Sequence, residues 1–172
     1  MASPFISAIF FLSLLCICQA DDLISRICPK TTNPPLCFQT LRSDPRAGGA
    51  DLRGLAKIII EKSINAVQDV IANAKSIGGE KANTCVETSR VAIDELNQCV
   101  GYLNETSRAT GSEIVAISWD AIRNVATCDH EFGSDEPPKL KTASQKVQDL
   151  INVLIFIANN LITEREIKSH VN

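Results

Sequence analysis

The chain has 172 residues, 45% of them hydrophobic, and 20 acidic side chains against 17 basic ones leave a formal net charge of −3. With no basic cluster, that balance gives nucleic acid little to hold. Seven cysteines, two histidines and a single tryptophan are the residue types that constrain it most.

Pro4 to Ile17 is almost unbroken apolar sequence and ends in Cys18-Gln19-Ala20, a small-residue cleavage site before Asp21-Asp22. This predicts a signal peptide over residues 1–20, too short to be a comfortable membrane span. The chain left after cleavage would have about 152 residues, the size of one domain able to bury a core. No other stretch approaches eighteen apolar residues. Cys16 and Cys18 depart with the leader, and in an oxidising compartment the remaining five cysteines predict two bridges and one free thiol. Parity alone allows fifteen ways of choosing two pairs.

Leu23 to Cys28 and Leu36 to Leu41 read as two short helical pieces around a turn from Pro29 to Pro35, because proline breaks a helix and Asn33-Pro34 favours a turn. They form an N-terminal hairpin over residues 21–47, ahead of a bundle over 48–172. From Asp51 the apolar positions Ala56, Ile60, Ile64, Val67, Ile71 and Ala74 recur at steps of four and three up to Gly78-Gly79, a long amphipathic helix with a glycine stop. A second helix carries Ala82, Cys85, Ser89, Ala92, Leu96, Cys99 and Leu103 at the same spacing. A third, opened by Thr110-Gly111-Ser112-Glu113 as a capping box, carries Ile114, Ile117, Ala121, Val125 and Cys128. The fourth follows Asp135-Glu136-Pro137-Pro138 and carries Leu140, Ala143, Val147, Leu150, Leu154, Ile157 and Leu161.

Four such helices joined by short connections run antiparallel and bury their stripes together. The predicted fold is all-α: an antiparallel up-and-down four-helix bundle preceded by the hairpin. Helices of ~20 to 27 residues make a rod about 30 to 40 Å long. The start of the second helix and the end of the third share one end of it, so Cys85 and Cys128 can meet, with Cys99 about two turns into the interior. Cys99 is expected to be a buried, inert thiol.

The same residues carry a family resemblance. Ile27-Cys28-Pro29-Lys30-Thr31-Thr32-Asn33-Pro34-Pro35-Leu36-Cys37, Ser43-Asp44-Pro45-Arg46 and Asp51-Leu52-Arg53-Gly54-Leu55-Ala56 resemble the opening of the plant inhibitors of invertase and pectin methylesterase. Thr84-Cys85, Ala92-Ile93-Asp94-Glu95-Leu96 and Ala126-Thr127-Cys128-Asp129-His130-Glu131-Phe132 extend the match across most of the chain. The resemblance implies a helical hairpin leading a four-helix bundle, with Cys28–Cys37 and Cys85–Cys128 bridged. Where relatives often have Ser-Ala-Ala in the third helix, this chain has Ser118-Trp119-Asp120-Ala121.

The resemblance also bears on the target. Related invertase inhibitors carry a Pro-Lys-Phe tripeptide between the second and third helices, and the corresponding stretch here, Asn104 to Thr110, lacks it. The last helix, Leu150 to Leu161, looks more like pectin methylesterase inhibitors, although it lacks a cysteine some of them have. A pectin methylesterase in a 1:1 complex is therefore the expected partner, with a cell-wall or vacuolar acid invertase as the alternative. A secreted helical signalling or carrier protein is the alternative from another class. The expected location is extracellular, in the apoplast, or the vacuole for a vacuolar target.

The residues themselves argue against catalysis. His130 and His170 stand in no metal-ligand spacing and in no nucleophile constellation. Gly48-Gly49 and Gly78-Gly79 flank helices as turn chemistry, with no phosphate loop. No cofactor or metal site is expected. Binding is the better class, and at 3.6 residues per turn the faces opposite the stripes hold Glu87, Arg90, Val91, Asp94 and Gln98 on the second helix. On the third they hold Trp119, Asp120, Arg123, Thr127 and His130. Glu87, Arg90, Asp94, Gln98, Trp119, Asp120 and Arg123 are the candidate target-binding residues, the tryptophan and arginines being typical interface anchors. One side of the rod would lie across the target's substrate cleft, and an acidic pI near 5.4 suits a basic target. Asn104-Glu105-Thr106 is the sole glycosylation sequon, with Asn104 the acceptor.

Overall fold

The computed structural model describes residues 23–104 and 110–171, with side chains through Glu164. The predicted leader, residues 105–109 and the His170 side chain lie outside the described residues.

A helical segment over residues 23–27 (α1) runs into a 3-10 turn at Cys28–Lys30, and a second short helix, α2, spans Pro34–Arg42. Proline at the first positions of α2 suits a helix start, and the Asn33 side chain accepts a hydrogen bond from the Leu36 amide at 3.2 Å as its cap. A 3-10 turn at Pro45–Gly49 then leads into α3 (Leu52–Ile77), which is followed by α4 (Glu80–Asn104), α5 (Thr110–Phe132) and α6 (Pro138–Val171). Asp51 caps α3 by accepting from the Gly54 amide at 2.8 Å, and Gly78 ends it at φ +72°, a conformation glycine adopts without steric cost.

Each long helix packs on two neighbours: α3 on α4 and α6, α5 on α4 and α6. This is the expected four-helix bundle. The buried stripes are wider than the spacing suggested. Leu55, Ile59, Ser63 and Val70 join Ala56, Ile60, Val67 and Ala74 inside, while Ile64 and Ile71 are half-buried at the edge. Thr110, the residue expected to open the third helix, is the first residue of α5 and is buried. The close approach of α5 and α6 depends on Gly111. A Cβ built there would stand 2.5 Å from Ile162 Cγ1 and 2.9 Å from the Ala158 carbonyl oxygen.

The hairpin shares the bundle core, because Ile24, Ile27, Cys28, Cys37 and Leu41 are buried with the residues of α3 and α6. Cys28 and Cys37 are bridged, and Asn33 Nδ2 donates to Asp149 Oδ2 of α6 at 2.8 Å. Asp44 makes the second tie. Its carboxylate, 6% exposed, accepts from the Arg46 backbone N–H at 3.1 Å, from Arg46 Nε at 2.9 Å and Nη2 at 2.8 Å, and meets Lys62 Nζ of α3 at 3.4 Å. Arg46 Nη2 also donates to Glu61 of α3 at 2.6 Å. Arg46 foremost, with Lys62 adding to it, holds the Asp44 carboxyl well below the ordinary carboxylate range. The motif Ser43-Asp44-Pro45-Arg46 thus caps the 3-10 turn and clamps it to α3.

Candidate target-binding face on α4 and α5

Cys85 and Cys128 are bridged at one end of the bundle with Cα atoms 4.7 Å apart, joining the first turns of α4 to the last turns of α5. Cys99, the free thiol among the described residues, is fully buried. It lies fourteen residues along α4 from Cys85, about 21 Å at 1.5 Å per residue, and so nearer the opposite end than the expected two turns. Burial pushes its thiol up to about 11, and the nearby Ser118 hydroxyl only partly offsets this. That hydroxyl is close enough to favour the thiolate but falls outside hydrogen-bond geometry, which leaves its oxygen without a partner.

The seam between the outer faces of α4 and α5 is marked by Asn124 Nδ2, which donates to both Glu95 carboxylate oxygens at 3.0 and 2.9 Å. Together with the Cys85–Cys128 bridge, this pair sets the antiparallel register, in which Asp94 stands level with about Arg123 and Gln98 with about Trp119. On α4, moving outward from the seam, helical geometry orders Val91, Gln98, Glu87, Asp94 and Arg90. On α5 the order is Asp120, Thr127, Arg123, His130 and Trp119. Trp119 and Arg90 therefore border the face, and Asp120, Val91 and Gln98 occupy its middle.

Glu87, Arg90, Asp94, Gln98 and Arg123 are exposed and Asp120 is half-buried. Trp119 is 47% exposed and Val91 46%, two of the three large hydrophobic side chains exposed among the described residues. The charged positions are internally paired three residues apart, Arg90 Nη1 to Glu87 Oε1 at 2.5 Å and Arg123 Nη2 to the Asp120 carboxylate. Such exposed pairs contribute little stability but hold long side chains in defined positions. The seam pair Glu95–Asn124 escaped the sequence reading, because both positions flank the apolar stripe and look like ordinary solvated polar residues.

Asn104 closes α4 and is exposed, its Oδ1 accepting from Lys57 Nζ at 2.8 Å, while the other two sequon residues lie outside the described residues.

Residues 22–160 match the model of the family described as plant invertase/pectin methylesterase inhibitor. The chain belongs to this family. As a member of the plant invertase/pectin methylesterase inhibitor family it is similar to the pectinesterase inhibitor of Actinidia deliciosa, at 30% identity over 186 residues, covering 94% of this chain and 98% of that one. It is also similar to pectinesterase inhibitor 2 of Arabidopsis thaliana, at 26% identity over 145 residues, with 79% and 82% covered. Among solved structures the bundle resembles a mutant form of a pectin methylesterase inhibitor from Arabidopsis, with a TM-score of 0.67, 20% identity, and 79% of this chain and 95% of that chain covered. A further structure of such an inhibitor from Arabidopsis thaliana gives a TM-score of 0.57 at 20% identity, covering 80% and 95%. Within this inhibitor family fold, the Cys28–Cys37 and Cys85–Cys128 bridges are the two staples among the described residues.

Proposed function

We propose that the protein inhibits pectin methylesterase by laying the outer face of α4 and α5 across the enzyme's substrate cleft in a reversible 1:1 complex. The single observation that carries this reading is the exposed α4/α5 face, bordered by a half-exposed tryptophan and holding Val91 and two ion pairs on a rigid, disulfide-stapled pair of helices. Its similarity to two pectinesterase inhibitors supports the choice of target. A rigid anchor surface binds with little ordering cost, since its backbone and pairs are already fixed. No covalent step is required: the bundle excludes the polysaccharide by occupying its path. Two disulfides suit export to an oxidising compartment such as the cell wall.

The carrier alternative would need an enclosed apolar cavity. A cleft of about 630 Å³ is an open groove between α3 and α6 lined by Asp69, Asn73, Lys139, Thr142 and Lys146 among others. Parallel titration of the purified protein against a plant pectin methylesterase and an acid invertase tests the target. Inhibition of the esterase is expected, and inhibition of invertase alone overturns this proposal. Trp119→Ala and Asp94→Ala should each weaken inhibition while helicity is preserved. An exposed aromatic anchor at an interface is worth on the order of 2 kcal/mol, roughly thirtyfold in Kd. Unchanged inhibition constants for both variants would remove this face from the mechanism.

A further inference from the structure

We propose that the corner joining α5 to α6 is a proton-operated latch, in which one proton shared by the Glu136 and Asp129 carboxyls holds the corner closed and its loss loosens it. This inference concerns the fold itself and does not depend on which enzyme is bound.

The corner is built tightly. After Phe132 the chain takes a left-handed step at Gly133 (φ +55°), a 3-10 turn at Gly133–Asp135, and then reaches Pro137 and Pro138, the latter opening α6. Glu136 is the residue that must be placed between turn and helix, and it folds back against Asp129, one turn before the end of α5. Asp129 Oδ2 accepts from Gln148 Nε2 of α6 at 2.8 Å, so the pair spans both helices. Its other oxygen, Oδ1, and Glu136 Oε1 are both buried and neither has a hydrogen-bond partner. Two buried carboxylate oxygens brought together are a repulsive arrangement when both groups are ionised. With one proton between them they become a donor and an acceptor, and both vacancies are filled at once.

Burial raises the Glu136 carboxyl to about 7, with the Asp129 charge and hydrogen bond acting in the same direction and Lys141 of α6 against them. The other charged groups at this end of the bundle, Glu80 and Lys81 of α4, His130 and Glu131 of α5, Asp135 of the turn and Lys139 of α6, are solvent-exposed. Lys75, near the end of α3, is exposed as well. Among the described residues no third carboxylate, histidine or cysteine joins the pair to make a metal site. A carboxyl raised above its unfolded value contributes its full stability below the ordinary carboxylate range, and loses it as pH rises from there to about 7. The Cys85–Cys128 bridge, adjacent to Asp129 in sequence, confines the opening to the corner beyond it.

The test combines a carbon-13 carboxyl titration of the wild-type protein by NMR with hydrogen exchange of the amides from Gly133 to Lys141, corrected for the intrinsic pH dependence of exchange. Glu136 should titrate clearly above an ordinary glutamate, and each unit of that displacement corresponds to roughly a tenfold rise in the opening constant across the titration. Glu136→Gln, whose amide donates to Asp129 at any pH, should keep the corner protected and abolish its pH response. Glu136→Ala should leave it loosened throughout. A Glu136 that titrates as an ordinary carboxyl, or a Glu136→Gln variant with the wild-type pH response, would overturn the latch.

Discussion

Alanine at Gly111 and alanine at Gly101 should change stability in opposite directions, although both glycines lie within long helices. At Gly111 the new methyl would meet Ile162 Cγ1 at 2.5 Å, the Ala158 carbonyl oxygen at 2.9 Å and the Ile162 amide nitrogen at 3.3 Å. The isoleucine side chain can rotate aside, but the carbonyl and amide belong to the α6 backbone. Relief therefore requires α5 and α6 to separate where Ile114 and Leu161 pack nearby in the core. Overpacking of this kind costs about 1–3 kcal/mol, and the better helix propensity of alanine returns at most about 1 kcal/mol. A net loss of about 1–2 kcal/mol corresponds to a Tm lower by about 2–8 °C for a domain of this size. At Gly101 nothing lies within 4 Å of the added methyl, so the propensity gain of about 0.5–1 kcal/mol is uncompensated and Tm should rise. Thermal and urea unfolding of both variants, followed by circular dichroism under non-reducing conditions, measures both signs. A Gly111→Ala protein as stable as wild type would refute the close α5–α6 contact.

Replacing Cys85 and Cys128 together by alanine reopens a loop of 43 residues and should cost about 4 kcal/mol on the chain-entropy model, against about 2.5 kcal/mol for the nine-residue separation of Cys28 and Cys37, as urea midpoints would show. Asp44→Asn should destabilise by about 1–3 kcal/mol at neutral pH, through loss of the cap and the Arg46 and Lys62 contacts. Because the folded-state carboxyl is held below its ordinary range, that contribution is present above about pH 4 and fades as pH falls further, so wild-type and variant stabilities should converge in acid. Cys99, buried and with its thiol raised to about 11, should resist a thiol-specific reagent at pH 8 in the native protein and react once urea unfolds it. Rapid native labelling of Cys99 would contradict its buried position.

Much of this fold is legible along the chain because helices advertise themselves locally. The three-and-four spacing from Ala56 to Ala74, the Asp51 cap and the Gly78 stop each act within a turn or two of their own position. The candidate face was legible for the same reason: a residue opposite an apolar stripe is outward, and Glu87, Arg90, Asp94, Gln98, Trp119 and Arg123 are indeed exposed. The seam that joins the two faces was not legible, since Glu95 and Asn124 are distant in sequence and polar like their neighbours. The same holds for the Asn33–Asp149 hydrogen bond and for the clamp from Arg46 to Glu61.

By itself the sequence determines the number of long helices, their stops, their buried stripes and which cysteines can staple the bundle, because periodicity, caps and loop length are short-range physics. The tertiary structure decides what depends on register between helices. It shows that a methyl group at position 111 would meet the α6 backbone, that Glu95 and Asn124 join across the α4–α5 seam, and that Trp119 stands at the border of the resulting face. It also shows that one carboxyl oxygen each of Asp129 and Glu136, on either side of the α5–α6 turn, is buried without a hydrogen-bond partner. Each of these depends on distances between atoms on different elements, which a one-dimensional pattern does not encode.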